Sequence, residues 1–275
     1  MNALKSLLVL FAVFNLTACQ TSTIQQKTEV PTPQQQINNS IISNLFDKAK
    51  TDGVITIYDG NHYASYGNNV ARANTYYVPA STFKMLNAVI GIESGLTNPN
   101  EVFKWNGEKR PLKAWEKDLT LTEAIKVSAV PVYQELARRI GLEKMSSEVK
   151  RIGFGNSNIG NKVDDFWLVG PLEITPKQEA EFAFKLANKK LPVSYQTQEQ
   201  VNEMLLTDVI NGNKIYGKTG LAINTEPKIG WFTGWVVKPN NQVISFSLNM
   251  DMTQDVPFSK RKEIAYESLK QLGII

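Results

Sequence analysis

Residues 77–90 read Tyr-Val-Pro-Ala-Ser-Thr-Phe-Lys-Met-Leu-Asn-Ala-Val-Ile, a proline-led entry into an apolar segment that carries one serine and one lysine. A proline before a run of good helix formers suits the first helical turn, so the segment is predicted to be helical. Ser81 then lies at or next to the helix N-terminus, and Lys84 follows on the same face. The lysine amine can therefore reach the serine hydroxyl, and free backbone N–H groups at the helix end would favour a developing oxyanion.

The apolar neighbours of Lys84 suggest that its amine is carried into the protein interior. Burial disfavours the charged form, so we expect the pKa to fall from its ordinary value of about 10.4. A neutral amine is a usable general base, or a nucleophile towards carbon dioxide. Two further S-x-x-K matches, at residues 147–150 and 259–262, lie among charged residues and are interpreted as surface features.

Composition excludes several classes of function. The 275-residue chain has a net charge of only +4 and no long block of like charges, so no nucleic-acid partner is expected. His62 is the only histidine and Cys19 the only cysteine. A Ser-His-Asp hydrolase and a hydrolytic zinc site are therefore disfavoured, and acid–base chemistry must come from Lys, Asp, Glu or Tyr. We expect no metal and no organic cofactor.

The N-terminus has the pattern of an exported protein. A short charged start precedes an apolar stretch over residues 6–16, too short to span a bilayer comfortably, which ends in Leu-Thr-Ala-Cys at residues 16–19. This end resembles the lipobox of bacterial lipoproteins, which implies cleavage before Cys19 and lipidation of its thiol. Because Gln20 follows instead of aspartate, the resemblance implies an outer-membrane anchor facing the periplasm. The alternative is an ordinary secretory signal.

The remaining chain is predicted to be a tether and one catalytic domain with two lobes. Residues 20–39 are rich in Gln, Thr and Pro and are predicted to be flexible, so residues 40–275 form the domain. Strands are predicted at residues 54–58, 63–66, 214–218, 229–237 and 242–250. Helices are predicted at residues 41–50, 132–140, 143–152, 176–188, 197–206 and 257–272, and a capping box at 120–123 opens one more. Strands at both ends and helices between them predict an α/β fold, an antiparallel sheet flanked by helices with an inserted all-helical lobe.

Three further features suit a site around Ser81. Ser128 lies in a helix-to-helix corner, where Pro131 breaks regular hydrogen bonding and the hydroxyl could face a cleft. The residues Lys218-Thr219-Gly220 end a predicted strand, where an amine, a hydroxyl and a glycine can grip a carboxylate and let substrate lie along the backbone. Arg261, on the last helix, offers a fork suited to bidentate carboxylate binding.

Together these motifs resemble the active-site serine penicillin-recognising enzymes, which carry S-x-x-K, a serine motif and K-T-G in this order. The middle motif, Ser128-Ala129-Val130, is the class D, or oxacillinase-type, pattern among serine β-lactamases. Phe83 and Trp167 agree with it. The variant Phe154-Gly155-Asn156 resembles the carbapenem-hydrolysing branch most. The resemblance implies a serine β-lactamase/DD-peptidase-like fold and hydrolysis of β-lactam antibiotics, including carbapenems, which confers resistance.

The resemblance also implies catalytic roles. Ser81 attacks the β-lactam carbonyl and forms an acyl-enzyme, while backbone N–H groups of Ser81 and Leu221 form the oxyanion hole. Lys84 is implied to be N-carboxylated by carbon dioxide, so that its carbamate is the general base in acylation and deacylation. Ser128 relays a proton to the leaving nitrogen, and Lys218 supports this transfer electrostatically.

The binding roles follow from the same resemblance. Trp167 donates its indole N–H to the carbamate, and Val130 and Leu168 form apolar walls that keep the lysine unprotonated. Arg261 and Thr219 hold the substrate carboxylate. The implied partners are small-molecule β-lactams, with no obligate protein partner and no membrane contact beyond the lipid anchor.

Some positions depart from the pattern of the family. Leu112 and Ile223 stand where the carbapenem-hydrolysing branch often has an aromatic residue and a methionine that bridge over the site, and Leu221 stands where several relatives carry tryptophan. These changes shrink the apolar roof, so they bear on the range of substrates.

Alternative functions stay open at this point. The sensor domains of β-lactam-responsive receptors share the fold and motifs but acylate without turnover; they follow several transmembrane helices, which are not expected here. A D-Ala-D-Ala peptidase acting on the cell wall is disfavoured by Val130 in the middle motif. A non-catalytic outer-membrane lipoprotein is the remaining possibility.

Overall fold

The structure is a computed structural model that describes residues 32–275. Residues 33–275 form one compact unit. The predicted signal peptide, its lipidation site Cys19 and residues 20–31 of the predicted tether lie outside the described residues. No helix in residues 32–275 is long and apolar enough to cross a membrane.

The described chain contains a large antiparallel sheet and a small one. The strands are β1 (Gly53–Tyr58), β2 (Tyr63–Tyr66), β3 (Val102–Phe103), β4 (Leu119–Thr120), β5 (Leu206–Ile210), β6 (Asn213–Ala222), β7 (Lys228–Val237) and β8 (Val243–Met252). The six-stranded sheet has the order β2-β1-β8-β7-β6-β5, and β3 pairs with β4 separately. The last strand of the chain, β8, therefore pairs with the first, β1, which joins the two ends of the domain.

Helices surround the large sheet. They are α1 (Pro33–Lys48), α2 (Lys84–Glu93), α3 (Leu121–Lys126), α4 (Val130–Ile140), α5 (Leu142–Ile152), α6 (Phe166–Val169), α7 (Pro176–Ala187), α8 (Tyr195–Met204) and α9 (Lys260–Gln271). The predicted capping box is present, because Thr120 accepts a hydrogen bond from the Glu123 backbone while the Glu123 side chain binds the Thr120 backbone. The predicted antiparallel sheet flanked by helices is confirmed.

Two hydrophobic cores lie on opposite faces of the sheet. Along β7, Trp231 and Trp235 belong to the core beneath α2 and α4. The alternate residues Phe232 and Val236 belong to the core beneath α1 and α9. Side chains alternate between faces along a strand, so a strand covered on both faces is apolar throughout. The helical lobe, which carries Ser81, therefore packs against a sheet that is covered on both faces.

The beginning of the folded domain differs from the prediction. Helix α1 begins at Pro33, so residues 33–39 belong to a helix and are not part of a flexible tether. Proline is favoured in the first turn of a helix, and glutamine is a good helix former. Residues Ile42 and Phe46 anchor the helix in the core, and the polar turns before them extend it.

The edge of the sheet near the predicted site also differs. The helix expected to reach residue 206 ends at Met204, and the unpredicted strand β5 follows it. The K-T-G residues do not end a strand, because β6 continues to Ala222. Strand β5 pairs with β6 only as far as Tyr216, so the edge of β6 beyond it faces the cleft instead of a neighbouring strand.

Candidate active site

Ser81 and Lys84 meet where a short turn leads into α2. A 3-10 helix (Ala80–Phe83) precedes α2, so Ser81 lies in a tighter turn than the predicted α-helix. The Lys84 Nζ and Ser81 Oγ atoms are 2.7 Å apart. Lys84 is fully buried, and this burial, together with the charge of Lys218, lowers its pKa well below the ordinary value. A neutral amine within hydrogen-bonding distance can remove the serine proton.

The backbone is strained at two residues beside the reacting atoms. Ala80 has a φ of 51° and Ser128 a φ of 57°, both in the left-handed region that residues with a Cβ rarely adopt. Such conformations persist only where the surrounding structure enforces them, and they concentrate at functional sites. Here they turn Ser81 and Ser128 towards a common cleft.

Ser128 and Lys218 form the second half of the site. Ser128 occupies the predicted corner between α3 and α4, where Lys218 Nζ donates to its Oγ at 2.9 Å. The same amine donates to the carbonyl of Thr219 at 2.9 Å. Burial, with the charge of Arg261, lowers the pKa of Lys218 to about 7. This amine can therefore exchange a proton with Ser128 near neutral pH.

Arg261 reaches the same cleft from α9. It donates from Nε to the carbonyl of Phe258 at 3.0 Å and from Nη1 to that of Gly220 at 2.5 Å. It has no carboxylate partner within residues 32–275, and burial lowers its pKa to about 10. A partly desolvated guanidinium without an anion is suited to bind the carboxylate of a ligand.

Gly220 lets β6 approach the turn that carries Ser81. A Cβ added at this position would lie 2.9 Å from the carbonyl oxygen of Pro79 and 3.3 Å from Thr82. Such contacts are closer than ordinary van der Waals separation, so a larger residue would push the strand away. The glycine of the K-T-G motif therefore sets the width of the cleft.

Trp167 carries a buried polar atom with an unmet hydrogen bond. Its ring stacks on Phe83 with ring centres 5.4 Å apart, beside the residue that begins α2. The side chain is fully buried, and its Nε1 has no hydrogen-bond partner among the described residues. Buried indole N–H groups are normally bonded, so this donor is available for an acceptor that residues 32–275 do not supply.

Most of the predicted site residues line one cavity of about 470 Å³. These residues are Ser81, Leu112, Ser128, Val130, Leu168, Thr219, Gly220, Leu221, Ile223 and Arg261. The buried Lys84 and Lys218 are hydrogen-bonded to Ser81 and Ser128 of this lining, and the buried Trp167 directly precedes Leu168. The structure thus brings together every predicted site residue in the part of the chain that it describes.

The cavity also has lining residues that sequence reasoning missed. Trp115, Val169 and Phe258 contribute apolar surface to it. Trp115 is held by a hydrogen bond of 3.0 Å from its Nε1 to the carbonyl of Val127, next to Ser128. None of the three belongs to a motif. Phe258 could have been suspected only from its position one helical turn before Arg261.

No group of three or more His, Cys, Asp or Glu side chains within residues 32–275 is arranged to hold a metal ion. The expectation that the protein needs neither a metal nor an organic cofactor stays a prediction.

Comparisons with known proteins agree with this geometry. The sequence model of the penicillin binding protein transpeptidase domain matches residues 45–270. The chain is 40% identical to β-lactamase OXA-48 of Klebsiella pneumoniae, over 84% of this chain and 87% of that protein. It is 37% identical to β-lactamase OXA-10 of Pseudomonas aeruginosa, over 96% of this chain and 98% of that protein.

A solved structure gives the same result for the fold. The class D β-lactamase YbXI from Nostoc superposes with a TM-score of 0.81 at 37% identity, over 85% of this chain and 99% of that one. The expected serine β-lactamase/DD-peptidase-like fold is therefore confirmed. The similarity extends over nearly the whole length of these relatives, and the chain belongs to the class D β-lactamase family of serine hydrolases.

Proposed function

We propose that this protein hydrolyses β-lactam antibiotics through an acyl-enzyme on Ser81, with carboxylated Lys84 as the general base, and so confers resistance. The observation that carries the proposal is the 2.7 Å contact between Ser81 Oγ and the fully buried Lys84 amine. Burial favours the neutral form of that amine, which is the form that accepts the serine proton and also the only form that reacts with carbon dioxide.

The residues around this pair perform the remaining steps. Ser81 Oγ attacks the lactam carbonyl as its proton passes to the base, and the carbon–nitrogen bond of the ring then breaks. Ser128 gives its proton to the leaving nitrogen and recovers one from Lys218, whose amine lies 2.9 Å away. Arg261, with Thr219, binds the substrate carboxylate and so orients the ring over Ser81.

Two features of the site suit a carboxylated lysine. When carbon dioxide is bound, Lys84 carries a carbamate, which supplies an acceptor for the proton of Ser81 and later for that of a water molecule. The buried Trp167 N–H, which has no hydrogen-bond partner in the described part of the chain, would donate to such an oxygen. The apolar side chains of Val130 and Leu168, both in the cavity wall, keep the amine desolvated when carbon dioxide leaves.

The first test is nitrocefin and ampicillin turnover with and without bicarbonate, for the wild-type protein and for Trp167→Phe. We expect bicarbonate to raise the wild-type rate. Trp167→Phe keeps an aromatic ring against Phe83 but removes the N–H donor. A buried hydrogen bond to a charged group contributes roughly 1.5–3 kcal/mol, so the variant should need about 10- to 100-fold more bicarbonate for the same rate.

The control is Trp115→Phe, which removes an indole N–H bonded to a backbone carbonyl and should leave the bicarbonate requirement unchanged. A single stoichiometric burst that bicarbonate cannot extend would show acylation without turnover, and a sensor or peptidase function would replace this proposal.

Carbapenems are part of the proposed substrate range. This part of the proposal is supported by the sequence resemblance around Phe154-Gly155-Asn156. The exposed apolar residues Leu112 and Ile223 in the cavity wall replace the aromatic residue and the methionine of the carbapenem-hydrolysing branch, so they bear on how tightly a carbapenem is held. Imipenem hydrolysis by the same protein sample decides the question.

We also propose that the protein is periplasmic and attached to the outer membrane through Cys19, on the lipobox pattern of residues 16–19. In an expressing bacterium, radiolabelled palmitate should label the protein, and Cys19→Ser should abolish the label and shift the protein to the soluble periplasmic fraction. A labelled Cys19→Ser variant, or an unlabelled wild type, would contradict the anchor.

A further inference from the structure

Glu179 is a fully buried acid directly behind the nucleophile. It lies in the first turn of α7, with no exposed surface, and it belongs to none of the three motifs that carry Ser81, Ser128 and Lys218. Its Oε1 lies 2.5 Å from the hydroxyl oxygen of Thr82, the residue that follows Ser81. Its Oε2 is buried without a hydrogen-bond partner among the described residues. An acid in such a place costs stability unless it is neutral or well paired.

The contacts of the Thr82 hydroxyl constrain the protonation state of Glu179. Its oxygen lies 2.8 Å from the carbonyl oxygen of Pro79 and 2.5 Å from Glu179 Oε1. The hydroxyl has one proton, and a carbonyl can only accept. If Thr82 donates to Pro79, the contact with Glu179 is a hydrogen bond only when the carboxyl is protonated and donates. An ionised carboxylate would instead compete with Pro79 for this single proton.

No charged side chain within residues 32–275 compensates an ionised Glu179. Desolvation raises its pKa to about 8, against smaller opposing effects of the nearby Thr82 and Thr233 hydroxyls. No ionisable side chain on the main elements packed against α7 contributes to this shift, and neither do the two active-site lysines. These side chains are Arg72, Tyr58, Asp251, Lys228, Tyr195, Glu199, Glu203, Lys84 and Lys218. Arg72 is bound to Asp251 and Asn249.

The hydrogen bonds from Glu179 through Thr82 to Pro79 lead to strand β6, which lines the active-site cleft. Thr82 lies in the 3-10 turn, one residue after Ser81, and Pro79 is the capping residue just before that turn. The Pro79 carbonyl oxygen packs against Gly220 of β6. The carboxyl, the threonine hydroxyl and the proline carbonyl therefore connect α7 to the turn, and the turn to the strand that lines the cleft.

We propose that Glu179 is a positioning residue, which remains a neutral carboxylic acid and donates to Thr82 so that the turn carrying Ser81 is held against β6. The effect on activity rests on the proposed function, whereas the proton on Glu179 can be measured without any substrate.

The test compares three variants by the rate at which a fluorescent penicillin acylates Ser81. Glu179→Gln keeps a neutral donor of the same shape and should acylate close to the wild-type rate. Glu179→Ala removes the donor and should lower the rate by about 100-fold, the cost of misplacing a reacting group by about 1 Å. The matched control is Glu181→Gln on the same helix, whose carboxylate is bound by Tyr63 and Lys185 and should have no effect.

The pH dependence separates positioning from packing. Below its folded pKa Glu179 is protonated, so wild type and Glu179→Gln should acylate alike. As pH rises through about 8, the wild-type Glu179 carboxyl ionises. The Thr82 hydroxyl then donates its hydrogen bond to the carboxylate instead of to the Pro79 carbonyl. The wild-type acylation rate should then fall relative to the rate of Glu179→Gln. Lys84, Lys218 and Arg261 are present in both proteins, so their titrations cancel in the ratio of the two rates. A pH-independent ratio would overturn the inference.

A substrate-free measurement is the infrared difference spectrum of wild type minus Glu179→Gln at about pH 6.5, which lies below the folded pKa. We expect the carbonyl band of a protonated carboxyl, and a carboxylate band in its place would overturn the inference.

The free energy of unfolding gives the second check. An acid with a raised folded pKa contributes stability that is lost as pH rises from its unfolded pKa through its folded pKa. The melting temperature of Glu179→Gln should therefore gain on wild type as pH rises, whereas that of Glu181→Gln should not.

If the wild-type protein is not acylated at all, the proposed function fails, and the infrared band still decides whether Glu179 holds its proton. If acylation proceeds but Glu179→Ala acylates as fast as wild type, the positioning role is wrong and the proposed function stands.

Discussion

Lys84→Ala is expected to lower the rate of β-lactam hydrolysis by a factor of about 10²–10⁴, the usual contribution of a positioned general base. The Lys84 amine lies 2.7 Å from the Ser81 hydroxyl, and no histidine of the chain can replace it, because the only one, His62, is exposed on the strand-connecting turn after β1. Turnover of nitrocefin at saturating bicarbonate measures the loss. Added bicarbonate should not restore it, since the variant has no amine to carboxylate.

Lys84→Met is the matched control, because its unbranched apolar side chain is only one atom shorter than that of lysine and leaves a much smaller cavity than alanine does. It should lose activity to the same extent as Lys84→Ala. It should also melt at a higher temperature than wild type near neutral pH. The folded pKa of Lys84 lies well below its unfolded value, so the buried amine costs stability, and this cost grows as pH falls. If Lys84→Met retained turnover, another group would have to be the base.

Gly234→Ala is expected to destabilise the protein by about 3 kcal/mol, at the upper end of the cost of overpacking a core. A Cβ on Gly234 of β7 would lie 1.9 Å from the carbonyl oxygen of Tyr216 and 2.7 Å from the Cα atom of Gly217. Both are backbone atoms of β6, which cannot rotate away as a side chain can. The two strands would have to separate just before the K-T-G residues.

Thermal unfolding measures this change, and roughly 10 °C of loss in melting temperature is expected for a domain of this size. Gly107→Ala is the control. A Cβ there would meet no atom within 4 Å, although its φ of +83° makes any side chain unfavourable. The control therefore reports only the backbone strain of a left-handed residue, which costs roughly 1–2 kcal/mol, without the steric clash, so its loss should be clearly smaller than that of Gly234→Ala. Equal losses in the two variants would contradict the close approach of β6 and β7.

Much of the fold follows from local signals. The capping box at Thr120, the alternation of β7 and the proline-led entry to Ser81 each act within a few residues, so a linear pattern contains them. The predicted start of the folded domain, residue 40, was several residues too late, because the glutamine-rich first turns of α1 lack an apolar periodicity. Strand β5 was missed because its pairing with β6 depends on a partner elsewhere in the chain.

The sequence by itself determined which residues carry the chemistry: Ser81, Lys84, Ser128 and Lys218 stand in three motifs whose order and spacing few other chains share. Only the tertiary structure decided their electrostatic state and their supports. Burial of Lys84, the effect of Arg261 on Lys218, the burial of the Trp167 N–H and the carboxyl of Glu179 behind Thr82 all arise between segments far apart in sequence. The pKa of a group depends on the solvent and the charges around it, and these are set by packing instead of by the neighbours of a residue along the chain.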